Sequence, residues 1–235
     1  MRLLRRSWLV AAALIVVGLT ALTVPARADD AMDARQLVER AKLSFEGMIV
    51  APEMDGLRDL IRRAKGVFVA PQVLRGAFIF GVSGGSGVFF ARNERPGQWN
   101  GPAFYTIGEA SFGFQAGADA SEVALLAMTD RGVNALLSTS VKLGADASVA
   151  AGPVGGGAQA STANISADIL TFTRSKGLYG GVSLEGAVVA TRDGLNEAFY
   201  GKKDLKPADI LVQRTVTNPA ANPLLADVRK LAASK

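Results

Sequence analysis

Residues 142–157 constrain the fold of this chain more than any other stretch. Their sequence is KLGADASVAAGPVGGG, in which small residues dominate and Lys142 and Asp146 carry the only charges. The stretch has too little charge for a solvated tail and too few large side chains to form a core alone. Glycine permits positive φ angles and a close approach of neighbouring backbone. We therefore expect backbone that packs tightly against bulkier material in residues 76–128 and 168–189.

The first residues have the pattern of a targeting segment. Three arginines precede an apolar run at 8–22, and residues 26–28 (A-R-A) fit a small-x-small cleavage site. Because a membrane span needs ~20 residues, the run favours a cleaved signal peptide over residues 1–28 rather than an anchor. The pair Arg5-Arg6 leaves both the Sec and the twin-arginine export routes open. The expected location is the periplasm, peripheral to the membrane.

Composition excludes several classes of function. The predicted signal holds four of the 26 basic residues and none of the 21 acidic ones, so its removal lowers the formal net charge from +5 to +1 and leaves no electrostatic case for nucleic acid. The chain has no cysteine and no histidine, which removes disulfides, thiol chemistry and Ser-His or Cys-His nucleophile pairs. No glycine cluster has phosphate-loop spacing. We expect no cofactor, no metal and no enzymatic activity.

Helical periodicity appears at both ends of the chain. Apolar residues recur at helical spacing in 33–48, and a second helix is predicted at 52–64 after Pro52. Shorter helices are predicted at 130–137 and 192–199, and Asn222-Pro223 opens a last one.

Short apolar runs separated by glycine fill the middle of the chain. The run 67–70 is closed by Pro71, and residues 81–87 have the composition of a glycine turn that joins strands 77–80 and 88–91. Further strands are predicted at 104–107, 111–118, 123–128, 142–144, 147–151, 169–173 and 178–189. The pattern predicts an α+β fold: a curved, glycine-rich antiparallel sheet or partial barrel with two N-terminal helices and short flanking helices.

The predicted helix at 33–48 suggests a surface for lipid. One side is apolar and includes Leu37 and Phe45, each of which contributes ~1.5–3 kcal/mol when fully buried. Each nearby cation adds ~1 kcal/mol at an anionic bilayer. The basic residues of this region are Arg35, Arg40, Lys42, Arg58, Arg62, Arg63, Lys65 and Arg75. In a second interpretation the apolar side covers the protein's own sheet, and the sequence leaves both open.

Two alternatives belong to other classes of function. Paired carboxylates could hydrolyse a glycoside without histidine, and such a hydrolase predicts Glu185 or Asp146 in a cleft with a raised pKa. A cell-envelope module that binds a protein partner through its sheet face, as a scaffold, needs no chemistry at all.

Several segments match a known family closely. Residues 143–153 (LGADASVAAGP), 174–181 (RSKGLYGG) and 111–118 (SFGFQAGA) resemble the SYLF domain family. The resemblance runs over about 33–201, which suggests a SYLF-type domain at 29–201 and an extension at 202–235 with a terminal helix. Glu109-Ala110 and Asp119 depart from the family pattern.

The resemblance carries an expectation about function. It implies binding of anionic membrane lipid through the N-terminal helix and nearby basic residues, with phosphoinositides and, for some members, actin as eukaryotic ligands. For an exported protein the expected partner is an anionic phospholipid surface.

Overall fold

The computed structural model describes residues 26–77, 80–93, 98–112, 117–153, 166–175, 178–180 and 184–233. Its helices are α1 (Ala26–Val50), α2 (Asp55–Ile61), α3 (Asp130–Leu137), α4 (Asp193–Tyr200), α5 (Pro207–Leu211) and α6 (Asn222–Ala233), with 3-10 turns at Pro52–Met54 and Pro219–Ala221. Its strands are β1 (Gly66–Ala77), β2 (Phe80–Arg92), β3 (Trp99–Phe112), β4 (Gly117–Ala127), β5 (Ser140–Lys142), β6 (Val149–Ala151), β7 (Ile169–Ser175), β8 (Leu178–Gly180) and β9 (Val188–Thr191).

The strands form one curved sheet in the order β5-β9-β3-β2-β1-β4-β7-β6, and β8 pairs with the far end of β7. All of these pairs are antiparallel except β6–β7, which is parallel. The long strands β1 to β4 lie side by side in the middle. The predicted α+β fold with a curved sheet is confirmed.

Both faces of the sheet are covered over half the length of these long strands. Because neighbouring side chains of a strand point to opposite faces, Val67 and Val69 face the helices α1, α2, α4 and α6, whereas Phe68 and Ala70 face the second core. In that second core the ring of Tyr105 contacts Phe68 edge-on, and its hydroxyl donates a 2.6 Å hydrogen bond to the Leu136 carbonyl. The two faces of one sheet thus contribute to two separate hydrophobic cores.

Helix α1 buries its apolar side on the sheet. Ala34, Ala41, Phe45 and Met48 are inaccessible to solvent and belong to the first core. The helix predicted at 33–48 is confirmed, and of the two interpretations of its apolar side the structure shows the packed one. The predicted cleavage point, after residue 28, falls in the first turn of α1, before the core-facing positions begin.

The small-residue stretch at 142–157 packs closely in the part that the structure describes, residues 142–153. Leu143 and Ala147 are buried, and Gly144 has a φ of +86° that favours glycine. A Cβ built on Gly152 would lie 2.3 Å from the ring of Phe172, so only glycine allows this approach. The expected tight packing is confirmed here; residues 154–157 lie outside the described part of the chain.

The glycines at 81–87 do not form a turn, and that prediction is wrong. They lie inside β2, which pairs with β1 from Gly66↔Ala91 to Ala77↔Gly81. A Cβ on Gly85 would lie 2.2 Å from the Gln72 carbonyl oxygen, and one on Gly87 would lie 2.4 Å from the Phe68 ring. These glycines therefore serve close strand and ring packing rather than chain reversal.

Two strand boundaries also differ from the prediction. Pro71 does not end β1, because the register shifts between Val69 and Gln72 and such a bulge accommodates proline. Residues 178–189 are not one strand. The chain turns before β9, where Gly186 has a φ of +94°.

Asp168 connects three elements through a buried carboxylate. One oxygen accepts a 2.6 Å bond from the Thr129 hydroxyl, and the other accepts bonds from the Ser148 amide at 3.0 Å and the Ser148 hydroxyl at 2.8 Å. The Nε atom of Arg131 lies 3.7 Å from the second of these oxygens, Oδ2. The Thr129 bond, with help from Ser148 and Arg131, outweighs burial and lowers the pKa of Asp168 below its usual value.

We predict that alanine destabilises the fold at one of two adjacent glycines of β2 and has little effect at the other. Gly85→Ala should lower the free energy of unfolding by about 2 kcal/mol, because its Cβ meets backbone that cannot move away. Gly84→Ala is the matched control, since the nearest atom to its Cβ is 4.0 Å away, and it should change stability by less than about 0.5 kcal/mol. Denaturant unfolding measures both, and equal destabilisation would contradict the packing described.

The stability that the Asp168 carboxylate provides should depend on pH. Since the folded state lowers the pKa of Asp168, its ionised form stabilises the fold above the ordinary carboxylate pKa, and this stabilisation is lost as pH falls through the lowered value. Asp168→Asn should therefore lower the melting temperature at pH 7, and the difference from the parent should shrink in acid. Thermal melts from pH 7 to pH 2.5 measure this, with Asp146→Asn as the exposed carboxylate control. A difference that stays constant over this range would contradict the assigned role.

Candidate functional site

The structure distributes the sequence-predicted site residues over separate regions. Arg35, Arg40 and Lys42 lie on α1, whereas Lys65 and Arg75 lie at the two ends of β1. Ten residues of strand span about 33 Å. The side chains of Lys65 and Arg75 therefore do not belong to one compact site.

Leu37 and Phe45 lie in the first core. Leu37 is 4% exposed and Phe45 is 0% exposed, because both face the sheet from α1. Direct contact of these two side chains with a bilayer would require α1 to leave the sheet.

Most of the predicted cations between residues 58 and 75 already have protein partners. Arg58 donates to the carbonyls of Ile49 and Ala51, at 2.6 and 3.1 Å, and also pairs with Asp55. It thereby satisfies carbonyls at the end of α1, which helices otherwise leave unpaired. Arg58 has a structural role in this arrangement.

Two further pairs lie near the beginning of β1. Arg62 lies 2.9 Å from Asp59, and Lys65 lies 2.5 Å from Asp130. Arg63 is exposed and has no ion pair with a described side chain. Of the four predicted cations at 58–65, Arg63 alone has no ion pair within the described part of the chain.

Arg75 lies between two acids on neighbouring strands. It pairs with Glu109 at 3.6 Å across β2, and Asp119 is its direct partner on β4. The two acidic departures from the SYLF pattern, Glu109 and Asp119, thus flank this arginine and offset its charge.

A groove between α1 and the start of α6 remains as the most suitable site. It has a volume of about 640 Å3 and is lined by Arg35, Val38, Glu39, Arg40, Lys42, Leu43, Ala220, Pro223 and Leu224. Its floor is largely apolar, and Leu43 is 64% exposed although it is a large aliphatic residue. The volume lies in the range of sites for small organic ligands.

The cations around this groove differ in whether an acidic side chain already pairs with them. Lys42 lies 2.6 Å from Glu46 and 3.7 Å from Asp227, and the hydrogen bond to Glu46 raises the pKa of Lys42. Arg35 and Arg40 are exposed and form no ion pair within the described chain. Two guanidinium groups are thus free to bind an anion beside an apolar floor.

Sequence reasoning missed the aliphatic part of this groove. Leu43 was placed with neither helix side, and Pro223 and Leu224 come from a helix that is far away in sequence. The helical spacing of Leu43 relative to Arg35 and Arg40 could have indicated an outward position. The part of the groove that α6 forms could not have been predicted from the sequence, because it depends on how the two helices meet.

The carboxylate alternative gains no geometric support. Glu185 and Asp146 are both exposed, and neither lines a cavity among the described residues. Asp146 accepts a 2.7 Å bond from the Lys142 amide within its own tight turn.

No helix in the described part of the chain has both the length and the hydrophobicity required to cross a membrane.

Comparison with known proteins identifies relatives over most of the chain. A family model described as "Ysc84: Las17-binding protein actin regulator" matches residues 108–231. Protein YSC84 of Saccharomyces cerevisiae is 34% identical over 171 residues, which is 71% of this chain and 36% of that protein. SH3 domain-containing YSC84-like protein 1 of Homo sapiens is 34% identical over 154 residues, 65% of this chain and 44% of the relative.

A third relative has the same extent. LAS seventeen-binding protein 3 of Saccharomyces cerevisiae is 32% identical over 170 residues, again 71% of this chain and 36% of that protein. The chain therefore spans about a third to a half of the length of these relatives. The segment that the family model matches includes the strands β4 to β9, the helices α3 to α5 and most of α6. On these matches the chain belongs to the Ysc84 family, whose shared unit is the SYLF domain.

Proposed function

We propose that this protein binds the surface of membranes that contain anionic phospholipid, and that Arg35 and Arg40 provide the main contacts for phosphate. The observation that carries the proposal is the groove between α1 and α6, where these two unpaired guanidinium groups flank an apolar floor with exposed Leu43. Arginine binds phosphate oxygens in a fork geometry that suits headgroups. The membership in a family of actin regulators and lipid-binding proteins supports this choice.

The mode of binding in this proposal is peripheral. The apolar side of α1 stays in the core, so that affinity comes from surface cations and a few exposed aliphatic side chains. Each arginine near an anionic leaflet contributes about 1 kcal/mol, and salt screens this attraction. Binding should consequently be strongest at low ionic strength and should need no unfolding of α1.

The proposal also includes location and chemistry. The protein acts without catalysing a reaction, in the periplasm after removal of residues 1–28, with an envelope protein as the alternative partner. The A-R-A site at residues 26–28 supports export. Sequencing the N-terminus of the protein isolated from its own cells tests this part.

Vesicle co-sedimentation tests the lipid proposal. The parent should bind vesicles of phosphatidylcholine with phosphatidylglycerol, and Arg35→Ala/Arg40→Ala should weaken binding about 30-fold at low salt, since two headgroup contacts of about 1 kcal/mol each are lost. Binding to vesicles of phosphatidylcholine alone should be weak for both proteins.

A charge-matched variant controls for net charge. Arg62→Ala/Arg63→Ala removes the same charge near the beginning of β1, about 20 Å along that strand from Gln72, which lines a recess together with Arg40. It should weaken binding less than about threefold, because Arg62 is paired and both residues lie away from the groove. Equal losses for the two double variants would refute a localised site, and a parent that ignores anionic vesicles would refute the function.

A further inference from the structure

The long strands extend beyond the layer of helices, and one face of this extension is bare. Beyond the bulge of β1, cross-strand partners share a face. The register places Ala120, Leu74, Gly84 and Gly108 in one row across four strands. The next row towards the strand ends is Ala118, Gly76, Val82 and Ala110, and the row nearer the helices is Gln72, Ser86 and Thr106.

This face, which we name the smooth face, carries no charged side chain at any of those positions. Apart from Gln72, its residues are small or apolar, and two aliphatic side chains project from it: Leu74 is 55% exposed and Val82 is 64% exposed. Large exposed aliphatic residues on adjacent strands are unusual for a surface that faces only water.

The opposite face of the same strands has a different character. One row on that face is Asp119, Arg75, Ser83 and Glu109, in which Arg75 lies beside Asp119 and pairs with Glu109 across Ser83. The residues alternate along each strand, so uncharged and charged rows occupy opposite sides of a single sheet. The absence of charge from the smooth face is therefore specific to one side.

Arg40 lies at the border of the smooth face. With Leu37 it lines a recess whose other walls are Pro71, Gln72, Leu74, Gly84, Gly85 and Ser86. The same arginine lines the groove of α1 and α6. An uncharged sheet face with an unpaired guanidinium at its edge matches the boundary of a bilayer, where acyl chains meet phosphate.

We propose that the smooth face enters the acyl-chain boundary of an anionic membrane through Leu74 and Val82, while Arg40 binds phosphate at its edge. This inference rests on the proposed function and assigns the part of the lipid contact that is apolar. None of the sheet positions named on the smooth face holds Trp, Tyr or Arg, the residue types that dominate the binding energy of protein–protein interfaces, and this favours lipid over a protein partner. Insertion of a small apolar area also agrees with reversible, peripheral binding.

Single labelled cysteines test the orientation directly, because the chain contains no native cysteine. An environment-sensitive fluorophore at Val82→Cys should show increased, blue-shifted emission on addition of phosphatidylcholine/phosphatidylglycerol vesicles. The same label at Ser83→Cys, the adjacent residue on the opposite face, should change little. Equal responses at both positions, or none at Val82→Cys while the protein is bound, would overturn the inference.

Charge substitution provides an independent test with the same matched pair. Val82→Asp should weaken vesicle binding about tenfold, since roughly half the burial of a valine side chain is lost, whereas Ser83→Asp should stay within about twofold. Circular dichroism and thermal melts confirm that both variants are folded. If the parent binds vesicles and Val82→Asp binds equally well, only the smooth face is refuted; if the parent does not bind, the proposed function fails with it.

Two further outcomes would also overturn the inference. A fluorescence change at Val82→Cys that follows protein concentration without vesicles would show that the smooth face joins two copies of this chain. A change that requires an added protein rather than lipid would identify the scaffold alternative.

Discussion

Helix α1 packs its apolar side on one part of the sheet and leaves the rest of that sheet face uncovered. Phe45 and Met48 are fully buried in this contact, and the loss of such side chains costs about 3–5 kcal/mol each. Their burial turns Arg35 and Arg40 outward, towards α6 and the exposed strands. The same packing that removes an apolar helix side from the surface thus creates both the groove and the smooth face.

Glycine allows neighbouring strands and aromatic rings to pack closely in this sheet. Gly85 and Gly87 in β2, and Gly152 beside Phe172, occupy places where a Cβ would overlap a neighbour. Small residues also occupy most positions of the extended strands on the side of α1. A single compositional bias therefore serves tight packing in the core and a smooth surface outside it.

Sequence patterns predicted the helices well, because 3.6-residue periodicity and caps are local signals. Thr129 caps α3 by accepting a 3.0 Å bond from the Gly132 amide, and threonine is a residue type that favours this position. The run at 81–87 was misassigned, because glycine favours turns and close packing equally and only the facing strand decides between them. The rows of the smooth face depend on register across four strands, which one sequence does not contain.

The candidate site was predictable in its residue types and not in its arrangement. A helix rich in arginine was evident, but the pairing of Arg58, Lys65 and Arg75 with acids depends on contacts between distant segments. Electrostatic arguments from composition therefore overestimated the number of available cations. The structure reduces the predicted cluster to the few arginines that no acid neutralises, and the apolar contribution moves from α1 to the sheet and α6.

The central claim is that the folded domain binds lipid as it stands, with α1 in place on the sheet. Amide hydrogen exchange with and without anionic vesicles tests it most directly, since exchange reports local opening. We expect unchanged protection along the core-facing part of α1 and increased protection in residues 72–76 and 82–86. Loss of protection in α1 on binding would contradict it, because the helix would then have left the sheet to enter the membrane.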